Sequence, residues 1–119
     1  MKLNKKSFGL LSIMDKKSKH LMEFISTAIE HSDVSGFEAL EMLDARSRLA
    51  SREPLLDELD RARLEGLDRQ LLQIADSLVE CISEVANLAE MRKRAHILPS
   101  HWWWYLEGIA SDKRKIASG

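Results

Sequence analysis

The chain has 119 residues, 45% apolar and 31% charged, with a formal net charge of −1. That balance fits one folded domain, and five glycines and two prolines against abundant Leu, Ala, Glu, Arg and Lys favour helix. A single cysteine excludes an internal disulfide framework and a cysteine-based metal site, and no stretch approaches the roughly 18 apolar residues of a spanning helix. A reducing, cytoplasmic location is the expectation.

The charge is segregated. Residues 1–20 carry six lysines and one acid, net +5; residues 21–91 carry six arginines and sixteen acids, net −10; residues 92–119 carry six bases and two acids, net +4. Such ends can pair with the middle or touch something anionic. Lys2, Lys5 and Lys6 ahead of Phe8, Leu10, Leu11 and Ile13 have the outline of an export signal. The apolar part is too short, and Asp15, Lys16 and Lys17 follow with no small-residue cleavage site, so export is not expected. Residues 1–14 read as a flexible basic arm, 15–111 as a single helical domain and 112–119 as a basic tail.

The pattern predicts four helices forming a small bundle or a coiled-coil dimer. Leu21, Met22, Phe24, Ile25, Ala28 and Ile29 make an apolar stripe for a first helix at about 17–32. Ser35 and Glu38 match a capping box and open a second at about 35–51, with Phe37, Leu40, Leu43 and Ala50 on its inner side. Pro54 suits the first turn of a third helix spanning 54–96. Within it Leu67, Leu71, Ile74, Leu78, Cys81, Val85 and Leu88 recur at alternating spacings of four and three, a heptad seam. The stripe changes face near Gly66, where a kink is expected. Unbroken, this helix would be about 64 Å long and would outrun a domain of this size. A homo-oligomer, most simply a dimer sharing the seam, is therefore expected.

Pro99 turns the chain, and Ser100 is positioned to cap a fourth helix at about 100–110. Trp102, Trp103, Trp104 and Tyr105 fall there in succession. At about 100° per residue four rings cannot share one core face. The helical phase puts Trp102, Tyr105, Leu106 and Ile109 inside, with Trp103 at the border. Trp104 shares the opposite side with Ser100, His101, Glu107 and Ser111. Trp103, Trp104, His101 and Glu107 are thus the expected partner-binding residues.

No constellation names a reaction. His20, His31, His96 and His101 are scattered, without helical metal-ligand spacing. Arg94 and His101 resemble, in type and spacing, the Arg–His feature of helical HEPN-type ribonucleases. Pro99 interrupts the helix that would have to present both groups, and no activity follows. Neither a nucleophile elbow nor a glycine-rich phosphate loop is present. The expectation is a non-enzymatic interaction module with no catalytic residue, cofactor or metal: an adaptor, chaperone-like or regulatory subunit that binds another protein through its C-terminal aromatic helix. Two alternatives are a nucleic-acid accessory protein using Arg92, Lys93 and Arg94 as anion contacts, and a peripheral protein on an anionic membrane.

Overall fold

The computed structural model of the chain describes residues 15–31 and 35–110, and over these it is all-helical. The basic arm at 1–14 and the tail at 112–119 lie outside the described residues, as does the end of the first predicted helix.

Helix α1 (Lys16–Glu30) starts within one residue of the expected position, and Asp15 caps it: its carboxylate accepts the Ser18 amide at 2.9 Å and the Ser18 hydroxyl at 2.8 Å. The Ser18 amide and hydroxyl, then Arg52, hold the Asp15 carboxyl below its ordinary range. Arg52, just past the end of helix α2 (Gly36–Ala50), donates to Asp15 at 2.9 Å and to Ser18 Oγ at 3.0 Å. One arginine so fastens the start of α1 to the end of α2. Met22, Ile25 and Ile29 supply the buried face of α1.

Ser35 caps α2 as expected, accepting the Glu38 amide at 3.2 Å. Of the residues expected on its inner side, Leu43 is buried and Leu40 and Ala50 pack against the core, and only Phe37 departs. Ala39, Met42, Leu43, Ala45, Arg46 and Leu49 point inward, while Phe37 is 64% exposed. A Cβ on Gly36 would collide with the Cys81 carbonyl oxygen and meet Val85 Cγ2 at 2.7 Å, so Gly36 is where α2 can touch the later helix most closely. Gly36→Ala is expected to cost about 1–3 kcal/mol through overpacking. Gly66→Ala, at a helical site with nothing within 4 Å, is expected to add about 0.5–1 kcal/mol. Urea melts of the two variants check the pair.

The predicted third helix is three helices. Pro54 sits in a 3-10 turn (Glu53–Leu55), and helix α3 (Glu58–Gln73) begins at Asp57, which accepts the Asp60 amide at 2.8 Å. No break occurs at Gly66, which is an interior residue of α3. The break is at Ile74, whose amide is shared between the Gln70 and Leu72 carbonyls. Helix α4 (Ala75–Ser83) follows, then a turn, and Asn87 caps α5 (Leu88–Arg94) by accepting the Glu90 amide at 3.1 Å. Shortened in this way, the seam folds back on its own chain. Leu67, Leu71, Leu78 and Leu88 join the internal core, Ile74 and Cys81 are half-buried, and Val85 is 36% exposed. Nothing in this architecture outruns the domain, so the length argument for a dimer lapses.

Helix α5 ends in a Schellman turn: the His96 amide bonds the Lys93 carbonyl at 3.3 Å and the Ile97 amide bonds the Arg92 carbonyl at 3.1 Å. His96 takes φ 54°, the left-handed position that glycine usually fills. The turn sends the chain back across α2. There Trp102–Trp104 form a 3-10 turn, not the predicted α-helix from Ser100, and the last described helix, α6, occupies 106–110.

Candidate functional site

The aromatic run and its neighbours are where the sequence placed a binding surface, and the turn geometry reverses that placement. A 3-10 turn spaces consecutive side chains about 120° apart, not 100°. Trp103 and Trp104 are buried, at 2% and 7% exposure, while Trp102 is half-buried. Trp104, expected to face solvent, belongs to the core.

Ser47 explains why. Its Oγ accepts the Trp103 Nε1–H at 3.0 Å and the Trp104 Nε1–H at 2.9 Å, and lies 3.0 Å from His101 Nδ1. An indole N–H can only donate, and a hydroxyl has two lone pairs and one proton. With both lone pairs taken, the hydroxyl proton must go to His101 Nδ1. A protonated Nδ1 would put a third donor against an oxygen with no remaining lone pair. His101 also stacks on Trp103 with centroids 4.7 Å apart, and Trp102 meets Trp103 edge-on at 5.5 Å.

Arg46 holds the other end of this cluster. It is 4% exposed, forks onto both Asp68 oxygens at 2.8 and 2.9 Å, reaches Glu53 at 3.0 Å, and lies 4.1 Å from the Trp103 ring centroid. Burial works against its charge, while Asp68 and Glu53 sustain it, and its pKa stands above the ordinary value.

Arg92, expected as an anion contact, is engaged within the chain. Its guanidinium donates to the Trp104 carbonyl at 2.8 Å, meets Glu107 at 2.7 and 2.9 Å, and stacks 4.4 Å from the Tyr105 ring. The Arg92 hydrogen bonds keep the Glu107 carboxyl below its ordinary range despite partial burial. Arg94 is exposed and pairs with Glu90 one turn back at 3.1 Å, and Lys93 is exposed. The Tyr105 hydroxyl donates to the Ile97 carbonyl at 3.3 Å. Of the four expected partner-binding residues, Trp103 and Trp104 are buried, His101 is bound to Ser47, and Glu107 to Arg92. The first three strap the C-terminal segment to α2, and Glu107 ties it to α5.

Ser47→Ala removes the acceptor of two enclosed indole N–H groups. The expected cost is about 2–4 kcal/mol, since a buried donor left unpaired costs about 1–3 kcal/mol. A fall of roughly 10 °C in the thermal midpoint is the readout.

Beside the strap lies an open cleft of about 420 Å³. Its walls are Val79 and Ile82 of α4, Ala86 of the turn, and Leu88 and Ala89 of α5, with Glu107 of α6 at the rim. Comparison with family models, curated proteins and solved structures gives no match to this chain. The geometry must speak alone. Among the described residues no group of three His, Cys, Asp or Glu side chains is placed to hold a metal ion, and no helix is long and apolar enough to cross a membrane.

Sequence reasoning missed Ser47, Arg46 and the cleft. For Arg46 a signal existed: it falls in line with Ala39, Met42, Leu43 and Leu49, a charge inside an apolar stripe. Ser47 carried none, because its role depends on indoles more than fifty positions away in sequence.

Proposed function

We propose that the chain is a non-enzymatic helical interaction module that binds another protein in the cleft between α4, α5 and α6. The observation that carries this reading is the cleft itself: a concave, mainly apolar surface on helical walls, open to solvent, with polar groups confined to Ser83, Asn87 and Glu107. An amphipathic helix laid in such a groove is a common mode of protein recognition. The aromatic strap contributes at one remove. By tying Glu107 and the start of α6 to Arg92, and the tryptophans to Ser47, it fixes one wall of the cleft in place.

Photo-crosslinking tests this directly. Benzoylphenylalanine in place of Ala89, on the exposed wall, is expected to give a discrete adduct with another protein in the native cells. The same group in place of Arg63, exposed on α3, is expected to give none. Equal or absent adducts at the two positions would reject the cleft as the binding surface.

A further inference from the structure

We infer that the cleft receives a basic amphipathic segment of another protein, its apolar face against Val79, Ile82 and Ala86 and its cations beside Asp76, Glu80 and Glu84. This rests on the docking reading above and adds the chemistry of the partner. The charge pattern of α4 is the reason. Between Arg69 and Arg92 the chain has four acids, Asp76, Glu80, Glu84 and Glu90, and not one Lys or Arg.

Asp76, Glu80 and Glu84 are exposed and recur every four residues, so they form one ridge along α4 and its C-cap. At about 100° per residue Asp76 and Glu80 fall within about 100° of Val79 and Ser83, which places the ridge along one edge of the cleft. Like charges four apart on a helix repel. Asp76 lies in the first turn of α4, where an acid is favourable, but the other two stand at the unfavourable end. Glu80 is in the last turn and Glu84 is the cap, where unpaired carbonyls already concentrate negative charge, and no basic residue stands in that turn. By contrast α5 ends in Arg92, Lys93 and Arg94, the favourable arrangement. Six other acids are matched, Asp68 and Glu53 by Arg46, Asp15 by Arg52, Asp44 by Arg48, Glu107 by Arg92 and Glu90 by Arg94, while acids on α1, α2 and α3 such as Glu23, Glu41 and Glu65 are in no ion pair among the described residues but do not border this cleft. None of the ridge acids takes part in an ion pair among the described residues. Two electrostatic costs thus remain unrelieved beside an apolar groove, and an incoming row of cations relieves both. From Val79 to Ala86 the wall runs about 10 Å, which accommodates about two turns of a partner helix.

The test uses the full chain and three helical peptides of about 16 residues with identical leucine positions and Lys, Gln or Glu on the polar face. Backbone amide shifts follow the titrations. The Lys peptide is expected to bind with shifts at Val79, Ser83 and Ala89, to weaken as salt rises, and to bind at least about tenfold more tightly than the Gln peptide. The Glu peptide is expected not to bind. The Glu80→Lys, Glu84→Lys double variant, altered only at exposed positions, should lose about tenfold for the Lys peptide and retain its far-UV dichroism. Equal binding of the Lys and Gln peptides at the cleft overturns the charge inference and leaves the docking reading standing. Failure of all three peptides to shift the cleft amides also overturns it, while the crosslink at position 89 judges the docking reading separately. A wild-type dimer that dissociates on Ala89→Arg in sedimentation would assign the cleft to a second copy of this chain and likewise overturn it.

Discussion

Trp103→Ala is expected to destabilise the fold by about 3–5 kcal/mol, the most of any change in the aromatic run. The side chain is 2% exposed, so truncation leaves a cavity the size of an indole in a core that relaxes only in part. It also loses the donor to Ser47, the stack with His101 and the face on which Arg46 rests. Trp104→Ala should cost nearly as much, since that ring is buried and shares the Ser47 acceptor. Trp102→Ala should cost clearly less than either. This order is the reverse of the one α-helical phase gives for Trp102 and Trp104, and equilibrium urea unfolding of the three single variants measures it.

Arg46→Ala is expected to cost about 3 kcal/mol. Removing one partner from a buried pair leaves the other without its counter-charge, an effect of about 3–5 kcal/mol when both are enclosed. Here Asp68 retains 21% and Glu53 40% of side-chain exposure, and water moderates the loss. The paired variant Arg46→Met, Asp68→Leu should recover most of the deficit, because no enclosed charge is then left unpaired. Unfolding free energies of the single and double variants give the comparison, with a shortfall in the double assigned to the lost contact between the guanidinium and Trp103.

The helical class was legible because leucine-rich periodicity and the Ser35 cap are local signals, and both appear where expected. Breaks in the long helix were less so. Asn87 with Glu90 three residues on is a readable cap, and it does start α5. Ile74 is not a breaker by type. Beyond it α4 packs against α2 at Gly36, a contact between residues far apart in sequence that leaves no local signal. The tryptophan phase failed for a related reason. It assumed 3.6 residues per turn, whereas Ser47 on another helix selects a 3-10 turn that directs two consecutive indole N–H groups at one oxygen. Arg92 likewise looked like a surface cation from its neighbours Lys93 and Arg94. Its enclosure depends on Glu107 returning after the Schellman turn.

Hydrogen exchange of the three indole Nε1–H protons, followed by nitrogen-15 NMR, bears most directly on the claim that the aromatic run is an internal strap. The Trp103 and Trp104 protons, both donated to Ser47 Oγ in a buried setting, are expected to exchange slowly, and the Trp102 proton quickly. A Trp104 indole proton exchanging as fast as that of Trp102 would contradict the account and return the run to the protein surface.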